Sequence, residues 1–188
     1  MGRRARILAR WVAMVAPAGE LLDVGAGDGR LAAEVARLRT DVRVRGTDSH
    51  ARPNPAIPID VCESGPLPYA DRSFDAVMAI DVLHHTDDPS VLLGEMARVS
   101  RRHLIIKDHR CESGADRSVL RFMDDVGNRR HGVRLPHVYW SQARWQEAFR
   151  ALGLVVIRQE ARLGLYPWPA GWIFERALHF LAVLEKRN

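Results

Sequence analysis

The sequence is poor in cysteine and lacks any long apolar run. Its 188 residues include two cysteines, Cys62 and Cys111, too few for a disulfide framework or a four-thiolate zinc site. No apolar stretch approaches the roughly 18 residues that a membrane-spanning helix needs. The arginine-rich start is not followed by an apolar core with a small-residue cleavage site, so no secretory signal is expected. We therefore expect a reduced, cytoplasmic protein without integral membrane association.

The positive charge is not concentrated in one segment. A formal net charge of +5 and a pI of about 9.8 would suit an anionic partner. The arginines are nevertheless spread along the chain, and no basic stripe is interleaved with aromatic residues, which argues against specific nucleic-acid binding. Hydrophobic residues make up 47% and charged residues 27%, as in folded globular proteins, and the length suits one domain over 1–188.

Apolar strands and amphipathic helices alternate through the first 108 residues. The pattern predicts helices over 29–39 and after the Asp88-Pro89 pair, where aspartate caps the helix and proline takes its first position. It predicts strands at 21–24, 42–48, 57–60, 74–80 and 104–107, with later strands at 154–157 and 179–184. This alternation is typical of an α/β fold: a Rossmann-like open sheet, mostly parallel with one antiparallel edge strand, and helices on both faces.

The chain divides into four parts within that single domain. Residues 1–17 form a covering helix, 20–108 the core of the fold, and 141–188 a C-terminal helix and closing strands. Residues 110–140 are too long for a plain connection, and we interpret them as a lid insertion. Its helix, at 115–127, is expected to bury four apolar side chains: Val119, Phe122, Met123 and Val126. Its basic loop, with Arg129, Arg130 and Arg134, could attract an anionic ligand or simply be solvated.

The most informative segment is the glycine-rich turn LLDVGAGDG at 21–29, between the first strand and the next helix. Gly25 permits a sharp turn, and Gly27 lets a ligand approach the backbone without meeting a Cβ. Asp48 ends the next strand 48 − 25 = 23 residues later, where an acidic side chain can accept hydrogen bonds from a ribose diol. Arg30 stands where a dinucleotide fingerprint has its third glycine, which argues against a nicotinamide-dependent oxidoreductase.

Three blocks together resemble the class I S-adenosylmethionine-dependent methyltransferases, in particular the subgroup that includes the ubiquinone/menaquinone-biosynthesis enzymes. These blocks are LLDVGAGDG (21–29), GTDSH (46–50) and IDVCESGPLPYADRSFDAVMAIDVLHHTDDP (59–89). The resemblance covers roughly 20–108, about half of the chain. One departure is the segment after Asp48, where prolines at 53 and 55 prevent a regular crossover helix, so that the helix between the second and third strands is trimmed.

The resemblance implies S-adenosylmethionine as cofactor, S-adenosylhomocysteine as product, and a set of binding residues. Gly25, Ala26 and Gly27 would line its methionine and ribose portions, and Asp23 would order the glycine loop or bind the methionine amino group. The other implied roles are ribose binding by Asp48, adenine contacts by Ser49, Asp60 and Val61, and proximity to the sulfonium for Ile80 and Asp81. Carboxyl ends of parallel strands are where open α/β sheets bind ligands.

A general base is needed only if the acceptor atom carries a proton at neutral pH. His84, His85 and His109 follow strand carboxyl ends; we rank His85 and His109 first as catalytic candidates, while a structural role for each stays open. Asp108 beside them is as compatible with a structural cap as with catalysis. The eight histidines show no spacing typical of metal ligands, so no metal site is predicted.

The sequence leaves three functions to compare. The first is methyl transfer to a small-molecule acceptor, anionic or apolar, whose identity and reacting atom the sequence does not give. The second is a non-catalytic methyltransferase-like binding module, and the third is the nicotinamide-dependent oxidoreductase that Arg30 disfavours. The oligomeric state is left open.

Overall fold

The computed structural model describes residues 1–62, 65–128, 136–168, 171, 174 and 178–187. Its helices are α1 (Arg3–Val15), α2 (Arg30–Leu38), α3 (Pro89–Val99), α4 (Gly114–Asn128) and α5 (Gln142–Ala151), with one 3-10 turn at Leu83–His85. Its strands are β1 (Gly19–Val24), β2 (Val42–Asp48), β3 (Ile59–Val61), β4 (Phe74–Ile80), β5 (Ser100–His109), β6 (Leu154–Glu160) and β7 (His179–Lys186). No helix within these described ranges is long and apolar enough to cross a membrane.

The seven strands form one sheet in the order β3-β2-β1-β4-β5-β7-β6. The pairs from β3 to β5 are parallel, and β7 pairs antiparallel with both β5 and β6. The predicted open, mostly parallel sheet with antiparallel pairing at one edge is therefore confirmed. The antiparallel strand is β7, which lies one position inside, so β6 forms the edge itself. Because β1, β2, β4 and β5 are parallel, their carboxyl ends meet along one side of the sheet.

Apolar side chains bury both faces of the sheet, as expected for parallel strands covered by helices. On one face α1 and α2 contribute Val12 and Val35 to a cluster with Met78 of β4. On the other face Leu93 of α3 and Trp145 of α5 join a larger cluster with strand residues. The sheet is thus fixed from both sides, which gives the strand ends a rigid support.

Local sequence signals define the helix starts. Asp88 accepts a hydrogen bond from the backbone N–H of Ser90, and Pro89 occupies the first turn of α3, as predicted. Ser141 caps α5 in the same way through the N–H of Arg144. Residues 49–58, all of them described, contain bends but no helix, so the trimmed connection between β2 and β3 is confirmed.

The predicted buried face of α4 is partly wrong. Phe122 and Val126 are 60% and 58% exposed, whereas Leu120 and the acidic Asp124 are buried. The helix is present, but it directs Asp124 towards other polar groups and leaves two large apolar side chains outside. The basic loop residues Arg129, Arg130 and Arg134 lie outside the described residues, so an anionic ligand at this loop stays a prediction.

Candidate functional site

The glycine loop between β1 and α2 is held against the end of β2 by backbone hydrogen bonds. The N–H groups of Gly25 and Ala26 both donate to the carbonyl of Thr47, at 2.8 and 3.1 Å. Gly25, Gly27 and Gly29 all adopt positive φ, at 73°, 60° and 72°, a region that side chains other than glycine rarely adopt. The loop conformation therefore depends on glycine at each of these positions.

Asp48 connects this loop to the segment after β2. Its Oδ2 accepts from the N–H of Gly27 at 2.8 Å, and its Oδ1 accepts from the N–H of His50 at 2.9 Å. A carboxylate has about four acceptor sites, so these two bonds orient the group without exhausting it. Asp48 is therefore a fixed acceptor at the mouth of the loop.

A cavity of about 660 Å³ opens beside the loop and is called the large cavity below. Its volume lies within the roughly 300–1,000 Å³ typical of small-molecule sites. It is lined by the glycine loop, by 48–50 and 52–54, and by Asp81, Val82 and His85. The predicted site residues Gly25, Ala26, Gly27, Asp48, Ser49 and Asp81 are thus brought together around one space.

The three loop glycines differ in what surrounds them. A Cβ on Gly25 would lie 2.4 Å from a methyl group of Val82, and one on Gly29 would lie 2.7 Å from Ile57. A Cβ on Gly27 would meet nothing within 4 Å, because this glycine borders the large cavity. Neighbouring side chains leave no room for a Cβ at Gly25 or Gly29. At Gly27 the space that a Cβ would occupy is the open space of the large cavity.

Asp23 of β1 is buried behind the loop, and burial together with the neighbouring Asp48 raises its pKa to about 8. No hydrogen bond or ion pair to its carboxyl group is found among the described residues. An unpaired buried carboxyl group is costly to ionise, and a nearby positive charge would lower that cost. Asp23 is therefore poised to respond to a cationic group placed near the loop.

Asp60 and Val61 do not line the large cavity. Both oxygens of Asp60 accept from the guanidinium of Arg45, at 2.6 and 2.8 Å, and Oδ2 also accepts from the hydroxyl of Tyr69 at 2.7 Å. These residues border a separate, more open cavity at the β3 edge. Ile80 is half-buried and packs against the apolar clusters near α1 rather than lining the large cavity.

Asp81 follows β4 with a φ of 59°, unusual for a residue other than glycine. Its carboxylate is bound by Nζ of Lys107 and by Nη2 of Arg4, the latter at 2.6 Å. Burial alone would raise the pKa of Asp81, but these two cations hold it well below its ordinary value. Lys107 is fully buried on β5, so the ion pair fixes the end of β4 to the middle of the sheet.

A smaller cavity of about 150 Å³ adjoins the large one and is called the small cavity below. The two share Asp81 and His85 in their linings. The remaining lining residues of the small cavity are Arg4, His84, His109, Met123, Asp124 and Tyr166. Polar and charged side chains from α1, the 3-10 turn, β5 and α4 therefore converge where the two cavities meet.

The three histidines of this region differ in the direction in which their pKa values are shifted. Burial and the neighbouring His84 lower the pKa of His85 to about 4. Burial also lowers the pKa of His109 well below its ordinary value. For His84 burial opposes the charged form, but three carboxyl groups together outweigh that cost and raise its pKa: Asp108, to which it forms a 2.6 Å hydrogen bond, Asp124 and Asp81.

Several members of this polar region were missed by sequence reasoning. They are Arg4, Lys107, Asp124, Tyr139 and His179. Lys107 had a usable signal, because a lysine inside an apolar strand next to Asp81 of the neighbouring strand suggests an ion pair. Arg4 is separated from Asp81 by 77 residues, and no local pattern connects them.

Among the residues that the structure describes, two groups of three side chains have the chemistry of metal ligands, although no metal site was predicted. They are Asp81, His109 and His179, and His84, Asp108 and His109. In the first group Nζ of Lys107 contacts both Asp81 and His179, which places a positive charge where an ion would sit. In the second group His84 and Asp108 bond directly. We assign no metal ion to either group.

Comparisons with known proteins find similarity to methyltransferases over part of the chain. The family described as "Methyltransferase domain" matches residues 22–105. The ubiquinone/menaquinone biosynthesis C-methyltransferase UbiE of Desulfotalea psychrophila is 35% identical over 91 residues, covering 44% of this chain and 37% of that protein. The chain spans about a third of the length of the curated relatives it matches.

Solved structures share the fold over nearly the whole chain. A chain from the complex of the Haloferax volcanii Trm112 methyltransferase activator with a methyltransferase superposes with a TM-score of 0.72. It is 19% identical, and the match covers 98% of this chain and 91% of that one. A second structure is the Burkholderia thailandensis 1,6-didemethyltoxoflavin-N1-methyltransferase with bound 1,6-didemethyltoxoflavin and S-adenosylhomocysteine. It superposes with a TM-score of 0.66 at 18% identity, and the match covers 100% of this chain and 79% of that one. At these identities the similarity establishes the fold alone.

Proposed function

We propose that this protein transfers a methyl group from S-adenosylmethionine to a small-molecule acceptor, as the match of residues 22–105 to the methyltransferase domain family suggests. The observation that carries the proposal is the large cavity, where open space at Gly27 adjoins the oriented carboxylate of Asp48. A nucleoside ligand needs both features: close approach to the backbone and an acceptor for ribose hydroxyls. The cavity has the size for such a ligand.

The residues fit S-adenosylmethionine in charge as well as in shape. Its amino group is cationic, and Asp23 supplies a buried carboxyl group without a partner among the described residues. Asp48 would take the ribose, with Gly25, Ala26, Gly27 and Ser49 around the nucleoside and Asp81 near the sulfonium. Bound S-adenosylmethionine supplies a methyl group on a positively charged sulfur atom.

The adenine contacts would lie at the β3 edge of the sheet. Asp60 would bind the adenine amino group with an oxygen already shared by Arg45 and Tyr69, and Val61 would contribute a backbone contact. Both lie at the β3 edge, outside the large cavity. A turn of the Arg45 side chain, which is half exposed, would free Asp60 for this role. Ile80 would act through packing below the sulfonium.

The chain's own contribution to transfer is mainly positioning. Aligning an acceptor with a reactive methyl group can account for about 7–11 kcal/mol of barrier lowering. The Asp81–Lys107 ion pair and the rigid strand ends hold the junction of the two cavities in place. His85, shared by both cavities, and His109, on the small cavity, would face the acceptor.

We also propose that 110–140 covers the acceptor. Met123 and Asp124 of α4 contribute to the wall of the small cavity, so a movement of α4 would open or close it. The exposed Phe122 and Val126 leave α4 with fewer apolar anchors than a core helix has.

A thermal-shift comparison with S-adenosylhomocysteine and NAD tests the proposal. We expect S-adenosylhomocysteine to raise the melting temperature and NAD to leave it unchanged. Stabilisation by NAD instead would indicate the oxidoreductase. Stabilisation by S-adenosylhomocysteine without methyl transfer to any of a broad panel of hydroxyl, amine and carbon acceptors would favour the binding module.

A further inference from the structure

The small cavity contains a histidine–aspartate pair with a defined orientation. Asp108 is fully buried at the end of β5, and its Oδ2 accepts from the N–H of Leu83 at 3.0 Å. Its Oδ1 accepts from the N–H of His109 at 2.7 Å and from Nδ1 of His84 at 2.6 Å. A carboxylate only accepts hydrogen bonds, so Nδ1 of His84 carries the proton. Asp108 thereby fixes both the position and the tautomer of the ring.

The other nitrogen of His84 is left available. Nε2 is buried and has no hydrogen-bond partner among the described residues. His84 is 1% exposed, yet it contributes to the wall of the small cavity. The nearest carboxylate oxygen, on Asp124, lies 3.6 Å away, beyond hydrogen-bond distance, and Asp124 itself accepts from the hydroxyl of Tyr139. An unpartnered buried nitrogen beside an empty space is a group prepared for a ligand.

The charges around the small cavity favour a proton on His84. Three carboxyl groups surround it: Asp81, Asp108 and Asp124. Two side-chain cations, Arg4 and Lys107, are both engaged by Asp81. Each of these carboxyl groups raises the pKa of His84. The proton released by an acceptor would therefore be stabilised there.

His84 suits this role better than its neighbours do. His85 and His109 have lowered pKa values, so they hold a proton weakly at neutral pH. An effective general base has a pKa near the working pH. The raised pKa of His84 keeps its conjugate acid stable.

We propose that His84 is the general base for the acceptor and that Asp108 is its positioning residue, the acceptor being a neutral hydroxyl compound such as a phenol or an enol. This inference rests on the proposed methyl transfer and names the acceptor class for it. The small cavity holds about 150 Å³, a volume that admits a single aromatic ring such as that of phenol. Arg4, which lines the small cavity, and the nearby Lys107 are both already paired with Asp81, which disfavours a carboxylate or phosphate as acceptor.

The reaction balances with the groups present. A bond forms between the acceptor oxygen and the methyl carbon, while the carbon–sulfur bond breaks and leaves its electron pair on sulfur. The hydroxyl proton passes to Nε2 of His84, which becomes an imidazolium between Asp108 and Asp124. No further reactant is required.

Long-range ¹H–¹⁵N correlation spectra of histidine-labelled protein test the inference directly. We expect neutral His84 to carry its proton on Nδ1 and to titrate above the ordinary histidine value of about 6.5. With S-adenosylhomocysteine present, phenol should shift the Nε2 resonance of His84, and anisole, its methyl ether, should not. Groups that face His84 and influence its titration are His85, Asp108, His109, Asp124, Tyr139, Asp81 and Arg4.

Variants separate the base from a structural histidine. Asp108→Asn should lower the pKa of His84, because the negative charge beside the ring is lost, while the affinity for S-adenosylhomocysteine stays within about twofold. His103→Gln, on the other end of β5, is the matched control and should leave His84 unchanged. If Asp108→Asn fails to fold, the wild-type tautomer still decides the question.

Three results would overturn the inference: neutral His84 with its proton on Nε2, His84 doubly protonated up to pH 9, or no difference between phenol and anisole. The tautomer is measured in the free protein as well as with S-adenosylhomocysteine. Failure of S-adenosylhomocysteine to bind would therefore count against the proposed function alone.

Discussion

Oδ2 of Asp48, at the end of β2, accepts a hydrogen bond from the backbone N–H of Gly27 at 2.8 Å. This bond joins the acidic strand end to the glycine whose missing side chain leaves the large cavity open. The group proposed to bind the ribose and the loop proposed to accommodate the nucleoside therefore hold each other in place. A change at either residue should affect binding through both.

Replacing Asp48 with alanine should weaken binding of S-adenosylhomocysteine by about 1.5–3 kcal/mol, because a charged acceptor for two hydroxyl groups is lost. Asp48→Asn should lose less, since its amide oxygen can still accept from Gly27. Isothermal titration measures both. Asp41→Ala, which removes an exposed partner of Arg39, is the control. An affinity of Asp48→Ala equal to that of the wild type would remove Asp48 from the site.

Gly27→Val should abolish detectable binding, because its side chain would occupy the open space of the large cavity. Gly153→Val is the matched control, since Gly153 has a φ of 66° against 60° and also has nothing within 4 Å of a built Cβ. Positive φ should cost each variant about 1–2 kcal/mol of stability. Urea denaturation should show that both variants are destabilised equally. Titration with S-adenosylhomocysteine should show loss of binding only in Gly27→Val. Binding retained by Gly27→Val would contradict the assignment.

The alternation of apolar strands and glycine turns predicted the sheet, because a strand that is buried on both faces appears in the sequence as a short apolar run. The Asp88-Pro89 start of α3 was predictable for the same reason. The outcome differed for α4, where an apolar stripe suggested burial of Phe122 and Val126. Which face of a helix is buried depends on the side chains that pack against it. Here those side chains are polar, so Asp124 is buried instead.

The site was predictable to the extent that it lies on consecutive strand ends. Asp48 and Asp81 could be placed together because β2 and β4 flank β1 in a parallel sheet. The direction of each side chain was not predictable. Asp60 also lies at the carboxyl end of its strand, but Arg45 and Tyr69 bind its carboxylate outside the large cavity. The orientation of His84 depends on Asp108, which comes from another strand end.

Asp23→Asn should change how stability depends on pH. The pKa of Asp23 in the folded state is about 8, above the ordinary value of 3.8, so the folded state keeps a proton that the unfolded state releases. This contribution is complete below about pH 4 and is lost as pH rises through 8, by up to about 1.4 kcal/mol per pH unit. Urea denaturation at pH 5, 7 and 9 should show a smaller decline in the variant. Parallel declines in the two proteins would contradict a raised pKa.

Asp81→Asn should destabilise the fold by about 3–5 kcal/mol, because it leaves the fully buried Lys107 without its carboxylate. The double variant Asp81→Asn/Lys107→Met should recover much of that loss, since the fully buried charge is then gone and the remaining partner, Arg4, is partly exposed. Glu147→Gln, which breaks an exposed pair with Arg144, should cost less than about 1 kcal/mol. Additive losses in the double variant would show that the pair is not coupled.

Hydrogen exchange should identify α4 as a lid. We expect amides of 114–128 to exchange faster than those of β4 and β5 in the free protein and to become protected with S-adenosylhomocysteine. Protection equal to that of the sheet in both states would make 110–140 a structural subdomain. The acceptor would then have to enter from another side.

A crystal structure of the complex with S-adenosylhomocysteine tests the central claim most directly. We predict the ligand in the large cavity, with its ribose hydroxyls within hydrogen-bond distance of Asp48 and its sulfur facing the junction with the small cavity, towards His84. A ligand bound elsewhere, or with its ribose away from Asp48, would contradict this account.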